Sequence, residues 1–269
     1  MSGIEININD IKNIALKAGK AVMEIYKKDF SIEYKDDKSP LTEADTKANE
    51  IICSSLKKLY PSIPIMSEEN KEIPYEVRKD WEYYWCIDPI DGTKEFIKKN
   101  DEFTINIALI YKNTPVLGIV YAPAIDIIYS AKKGEGAFKN RNKIERIESI
   151  ENDRDNRKVR VVASKSHLND ETQDFIDKLK EKYDEVELVS KGSSLKLCMV
   201  ADGSADIYPR LAPTMEWDTA AADAIVREAG KMTYIYDENF PIDSISSIAS
   251  IDSMKYNKEN LLNPWFVVK

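Results

Sequence analysis

Five short apolar runs, 63–66, 83–87, 103–111, 116–121 and 127–131, set what this chain can fold into. Each is rich in β-branched and aromatic residues and too short for a buried helix, and breaks at Asn113-Thr-Pro115 and at Pro123 separate the last three. That pattern predicts strands, with the last three joined as a meander. Two stretches of helical period precede them. The first begins near Asn9-Asp10 and lines up Ile11, Ile14, Ala15, Ala18, Val22 and Ile25. The second begins near Thr42, lines up Ala48, Ile51, Ile52, Leu56 and Leu59, and is stopped by Pro61. Helices with one apolar face are expected to lie on a sheet.

Beyond residue 158 the pattern alternates. Strands are expected at 159–163, 186–189, 205–208 and 232–236. Helices are expected through Phe175, Ile176 and Leu179, through Leu195, Cys198 and Met199, and over 218–229 closed by Gly230. Strand and helix in alternation read as α/β. The charged segment 139–158 is poor in large apolar residues and is read as the boundary between lobes of 1–155 and 156–269, with a cleft between them.

A net charge of −8 argues against a protein that holds duplex nucleic acid by neutralising phosphates. No run of apolar residues is long enough for a transmembrane helix, and residues 1–10 lack the basic start and apolar core of a secretory signal. Cys53, Cys86 and Cys198 are odd in number, widely spaced and set among apolar residues. They are expected to be buried free thiols, which points to the cytoplasm.

The chemistry gathers at Trp85-Cys-Ile-Asp-Pro-Ile-Asp-Gly-Thr-Lys94. Two carboxylates, Asp88 and Asp91, are expected just past the end of a strand, where ligands collect. Pro89 fixes a dihedral between them, so that Asp88, the Ile90 carbonyl and Asp91 can converge. Gly92 permits a tight turn, and Thr93 can open a helix whose free N–H groups face an anion. Taken alone, the two aspartates read equally as loop carboxylates capping the next helix. Ser67-Glu-Glu69 at another strand end and Trp217-Asp-Thr219 at a helix start add further acid. Oxygen donors without a nearby histidine favour Mg²⁺ over zinc.

Asp88-Pro-Ile-Asp-Gly-Thr93 with Trp217-Asp-Thr-Ala-Ala221 resembles the paired signatures of the inositol-monophosphatase superfamily of Mg²⁺-dependent, lithium-sensitive phosphatases. Four longer blocks look like the bacterial 3′(2′),5′-bisphosphate nucleotidases of the CysQ type. They are Asp91-Gly-Thr-Lys-Glu-Phe-Ile97, Glu102-Phe-Thr-Ile-Asn-Ile-Ala-Leu-Ile110, Gly192-Ser-Ser-Leu-Lys196 and the stretch from Tyr208-Pro-Arg to Met215-Glu-Trp-Asp218. The resemblance implies a layered αβαβα sugar-phosphatase-like fold, part α+β and part α/β, with the active site between its lobes.

It also implies roles. Glu68, Asp88 and the Ile90 carbonyl would hold one Mg²⁺, and Asp88, Asp91 and Asp218 a second, in a site of two or three ions. Thr93 and Asp45 would hold the attacking water, and the backbone of Gly92 and Thr93 the phosphate oxygens. Ser193, Lys196 and Arg210, with Asp218, would contact the substrate. The implied reaction converts adenosine 3′,5′-bisphosphate to AMP and phosphate, with the sulfated analogue as a further substrate. Two alternatives stay open: an inositol or sugar phosphatase of the same fold, and a nucleotide sensor without catalysis. Taken by themselves, Asp45 reads as part of a helix's first turn, Ser193 as a helix N-cap and Arg210 as a partner of Glu216 or Asp218. His167, the only histidine, reads as a solvated loop residue that can reach a base. Ala222, where the family often has Gly, is expected to narrow a helix contact, and Asp223 to add charge near the metals. Partners are expected to be small nucleotides, with neither nucleic acid nor membrane insertion. The sequence does not bear on oligomeric state.

Overall fold

The computed structural model describes residues 5–34, 40–145, 158–163, 168–237, 240–241 and 251–269. In chain order the elements are α1 (Ile8–Tyr26), β1 (Ile32–Tyr34), β2 (Pro40–Thr42), α2 (Glu43–Leu59), β3 (Ile65–Ser67), α3 (Tyr75–Arg78) and β4 (Tyr83–Asp91). There follow α4 (Thr93–Ile97), β5 (Thr104–Tyr111), β6 (Thr114–Ala122), β7 (Ile127–Lys132), β8 (Gly136–Lys139) and β9 (Asn142–Lys143). The remainder comprises β10 (Lys158–Val162), α5 (Asp170–Lys180), β11 (Glu185–Val189), α6 (Leu195–Ala201), β12 (Tyr208–Arg210), α7 (Glu216–Glu228), β13 (Thr233–Ile235) and β14 (Phe266–Val268).

Strands β3 to β9 form one seven-stranded sheet in sequence order. Only β3 and β4 run parallel; every later pair is antiparallel. The expected meander is therefore longer than the sequence suggested, because β8 and β9 continue it into the charged segment. Pro115 is accommodated inside β6, where the register with β5 slips between Leu109 and Ile110. The apolar runs are nearly continuous because both faces of the sheet are covered. Trp85, Ile87, Ile105, Ile107, Leu117 and Ile119 point to the side of α1 and α2. Their alternate neighbours Tyr84, Cys86, Ala108, Ile110, Val120 and Ala122 point to the side of α6 and α7.

The second sheet is built around β14, which lies between β12 and β13 and is antiparallel to both. Parallel strands β10 and β11 join it through a bridge between Val161 and Ile207. Phe266 and Val268 face α6 and α7, whereas Val267 faces the cluster that Phe175, Ile176 and Leu179 of α5 complete. The stacking is thus α1 and α2, the first sheet, α6 and α7, the second sheet, then α5, an αβαβα sandwich. The expected boundary between lobes falls among residues 146–157, outside the described residues. The apolar core runs across it, since α7 packs on β4 to β8.

One expected strand needs correcting. The strand expected at 205–208 begins instead at Tyr208, with only Ile207 bridging before it. Hairpin β1/β2 and strand β14 were not foreseen, being three-residue elements with too few positions for a period to show. Ala222 is fully buried in the apolar cluster between the sheets. The glycine that lets α7 approach is Gly118 of β6, where an added Cβ would lie 2.1 Å from the Ala221 carbonyl oxygen and 2.8 Å from Ala224 Cβ. Among the described residues no helix is long and apolar enough to cross a membrane.

Gly118→Ala is expected to cost at least about 3 kcal/mol in chemical denaturation, because backbone must move to make room. Gly134→Ala, at φ +81 with nothing within 4 Å of its Cβ, is expected to cost only about 1 kcal/mol. Equal losses would show that α7 does not depend on this close approach.

Candidate active site

The carboxylates come from four separate segments, and each is aimed by main chain. Strand β4 does not end at Ile87 as the apolar run suggested but continues to Asp91 through a register shift between Asp88 and Asp91. That bulge, with Pro89 inside it, places both aspartates within the strand rather than beyond it. Asp88 is 1% exposed, and its Oδ1 accepts the Ile90 N–H at 3.0 Å. Gly92 follows at φ +92 and opens the short helix α4.

Two of the other acids use the same device. Asp45 is the third residue of α2, and its Oδ2 accepts from the Thr42 N–H at 2.8 Å and the Thr42 hydroxyl at 2.6 Å. Asp218 is the third residue of α7, and its Oδ2 accepts from the Met215 N–H at 2.8 Å. Each carboxylate is thereby fixed at a helix N-terminus through one oxygen, where the helix dipole favours negative charge. The Asp45 Oδ1 accepts from the Thr93 hydroxyl at 3.3 Å, which also lies 3.3 Å from the Ile90 carbonyl. Asp45 is therefore both a capping residue and a neighbour of Thr93. Glu68 follows β3 and is held by its N–H to the Ile87 carbonyl at 3.1 Å.

Ligand oxygens of Glu68, Asp88 and Asp218 all lie within 4.8 Å of one another. Asp91 stands beside that trio rather than within it, with Oδ2 accepting from the Ser194 hydroxyl at 2.8 Å. Burial raises the Asp88 pKa well above the usual carboxylate range, reinforced by the charges of Glu68, Asp91 and Asp218. Burial, then Asp91, pushes Asp218 up to about 8. Asp91 is raised by burial against the opposing effects of Lys196 and the Ser194 hydrogen bond, and Asp45 by burial against its Thr42 bonds. Crowded, buried, oxygen-only donors that repel one another fit a hard divalent cation, whose charge reverses the repulsion.

Beside the carboxylates lies a pocket of about 280 Å³ lined by Asp91, Gly92, Ser193, Lys196, Arg210 and Asp218 among others. A larger one of about 640 Å³ adjoins it, sharing Glu95, Lys196, Tyr208 and Arg210 and adding Lys94 and Lys191. Ser193, at φ +51, has a buried hydroxyl with no hydrogen-bond partner, and Arg210 Nε is likewise buried and unpartnered. The N-cap of α6 is Ser194, not Ser193. Arg210 donates to the Pro213 carbonyl, and Glu216 pairs with Lys258 at 2.6 Å. Asp223 does not add charge to the site: it is fully buried, 2.9 Å from Arg227 Nε and 3.1 Å from the Tyr256 hydroxyl. His167 lies outside the described residues.

Sequence reasoning missed Ser194 and Asn106. The signal for Ser194 was its place immediately before the apolar face of α6, and for Asn106 its place as an amide within the apolar strand β5.

The inositol monophosphatase family model matches residues 5–264. The 3′(2′),5′-bisphosphate nucleotidase CysQ of Shigella flexneri is 40% identical over 264 residues, which cover 97% of this chain and 98% of that protein. Its counterpart in Salmonella typhimurium is 44% identical over 225 residues, 83% of this chain and 88% of that one. The crystal structure of CysQ from Bacteroides thetaiotaomicron superposes with a TM-score of 0.79 at 42% identity, covering 98% of this chain and 96% of that one. The chain belongs to the inositol monophosphatase family. Enzymes of this family are metal-dependent phosphatases, and the acidic cluster of Glu68, Asp88 and Asp218 can bind a metal. An inositol monophosphatase from Thermotoga maritima superposes with a TM-score of 0.71 at 25% identity, covering 97% of this chain and 91% of that one, so the same frame serves more than one branch of the family.

Raised carboxylate pKa values mean that the folded, cation-free protein holds protons that the unfolded chain has lost. Its stability therefore falls as pH rises from about 4 through the Asp218 titration near 8. Mg²⁺ is expected to raise the melting temperature little at pH 5, where it must displace those protons, and progressively more towards pH 8. An increment independent of pH between these limits would contradict the assignment of these carboxylates to a cation site.

Proposed function

We propose that this chain is a Mg²⁺-dependent 3′(2′),5′-bisphosphate nucleotidase that removes the 3′-phosphate from adenosine 3′,5′-bisphosphate to leave AMP, and that it converts the sulfated analogue to adenosine 5′-phosphosulfate. The observation that carries the reading is the adjacency of two unlike halves. An acidic cluster fit for cations stands against pockets whose donors include Lys94, Lys196, the unpartnered Arg210 Nε and the unpartnered Ser193 hydroxyl. A substrate with one phosphate to lose and a second to keep needs both halves. The full-length similarity to CysQ nucleotidases supports the same branch.

In this reading Glu68, Asp88, the Ile90 carbonyl, Asp91 and Asp218 would hold two or three Mg²⁺ ions, which would supply positive charge to the phosphate and lower the pKa of water. Thr93 orients the attacking water through its hydroxyl, and Asp45, already hydrogen-bonded to Thr93, takes up the proton. Gly92 and Thr93 present main-chain N–H groups to the phosphate oxygens. Attack opposite the ribose 3′-oxygen breaks the P–O bond, and that oxygen takes a proton from solvent water to leave as an alcohol while Asp45 returns its proton to solvent. Lys196, Arg210 and Ser193 bind the 5′-phosphate, which sets the register of the nucleotide. The three buried free cysteines suit a reducing compartment, and we place the enzyme in the cytoplasm.

Phosphate release from adenosine 3′,5′-bisphosphate and from inositol 1-phosphate, measured side by side, tests this. Preferred nucleotide turnover is expected, dependent on Mg²⁺, inhibited by Li⁺ and absent from Asp88→Asn. Lys196→Ala and Arg210→Ala are each expected to raise the nucleotide KM by about tenfold or more, the loss of one charge-assisted contact, with inositol 1-phosphate turnover little changed. Preference for the inositol ester would make the chain a sugar phosphatase of the same family instead.

A further inference from the structure

Ser194 brings the start of α6 to the carboxylate cluster. It is 1% exposed and occupies the N-cap of α6, yet its side chain makes no capping hydrogen bond to that helix. The hydroxyl is turned the other way. It accepts from Asn106 Nδ2 at 2.8 Å, and faces Asp91 Oδ2 at 2.8 Å and the Asp218 main-chain carbonyl at 2.5 Å. With one proton it donates to one of these acceptors at a time, while the Asn106 amide fills a lone pair and prevents the oxygen from swinging away.

The backbone around it is pinned. An added Cβ on Gly192 would meet the Glu102 carbonyl oxygen at 2.6 Å and Glu102 Cβ at 2.8 Å, and Lys191 Nζ lies 3.2 Å from Glu102 Oε1. Ser193 then turns through φ +51 to bring Ser194 inward. A serine used merely to start α6 would bond to the helix's own N–H groups. Here that role is given up and the hydroxyl joins β4, β5 and the first turn of α7.

We propose that Ser194 is a positioning residue of the cation site: its hydroxyl, backed by Asn106, fixes Asp91 through Oδ2 and holds it at a set distance from Asp218, so that the carboxylate meets Mg²⁺ alongside Glu68, Asp88 and Asp218. This inference rests on the reading of Asp91 as a cation ligand. Partners that orient ligand carboxylates contribute tenfold to hundredfold in metal affinity.

Titration calorimetry of the substrate-free protein with Mn²⁺ tests it directly. Ser194→Ala is expected to weaken Mn²⁺ binding tenfold or more, and Ser194→Thr to recover most of the loss. Asn106→Leu is expected to weaken it less, and the Ser194→Ala/Asn106→Leu pair no more than Ser194→Ala alone, because both act through one hydroxyl. Affinity within twofold of the parent in Ser194→Ala, failure of threonine to rescue, or additive losses in the pair would each overturn the proposal. If Ser194→Ala does not fold in EDTA, Ser194→Thr and Asn106→Leu decide it: parent-like binding in Ser194→Thr with weaker binding in Asn106→Leu supports it, and any other result overturns it. Asp88→Asn separates the two levels. Loss of binding in Asp88→Asn without an effect in Ser194→Ala overturns only the role of Ser194, whereas intact binding in Asp88→Asn removes the cation site and this role with it.

Discussion

Like charges in a buried place repel, and this fold is arranged to hold them together regardless. Glu68, Asp88 and Asp218 crowd within 4.8 Å, with Asp91 beside them, and the neighbouring charges raise the cost of ionising Asp88 and Asp218. None is held by its side chain alone. A bulge in β4 carries two, a parallel strand pair carries the third, and the first turn of α7 carries the fourth. Such an arrangement gives up stability in the cation-free protein, and donors fixed in this way lower the reorganisation that binding a cation would require.

That is why α7 is so heavily braced. Its first residue, Glu216, is fully buried and accepts from the Asn257 and Lys258 N–H groups at 2.7 and 3.0 Å as well as from the Lys258 ammonium. Arg78, also buried, holds the same loop from the other side, donating to the Asn257 side chain and to the Lys258 and Glu259 carbonyls. Further along, Gly118 lets the helix backbone settle onto β6. Asp218 sits between these fixtures. Its position follows from these contacts together with the Ser194 hydroxyl, which lies 2.5 Å from its main-chain carbonyl.

Much of this was legible in the residues. Long apolar runs with proline and asparagine breaks marked the sheet, and helical period marked α1, α2 and α7. The Asp-Pro-Ile-Asp-Gly-Thr segment announced the site because proline and glycine at fixed places leave few conformations. What could not be read was whatever depends on distant partners. Asp45 looked like a capping residue, and is one; only the fold reveals that its second oxygen reaches Thr93. Ser193 and Ser194 are neighbours of the same type, and which of them turns to the pocket and which to Asp91 is decided by a positive φ and the packing of Gly192 on Glu102. Asp223 looked like a neighbour of the metals by sequence distance, but the turn of the helix carries it to Arg227 and Tyr256 instead.

The position of β14 bears on how the molecule comes into being. Strands β12 and β13 do not pair with each other; both pair with residues 266–268. A chain emerging residue by residue can close its first sheet early, since β3 to β9 are neighbours in order. The second sheet has no such option. Until residues 266–268 have been made, β12 and β13 have open edges, and α7 lacks the Phe266 and Val268 side chains that close its apolar cluster. Asp218 rides on that helix, so its final placement waits for residues 266–268. During that interval the nascent chain carries unpaired strands and exposed apolar surface while its first sheet is already in place, the condition in which a chaperone has something to hold.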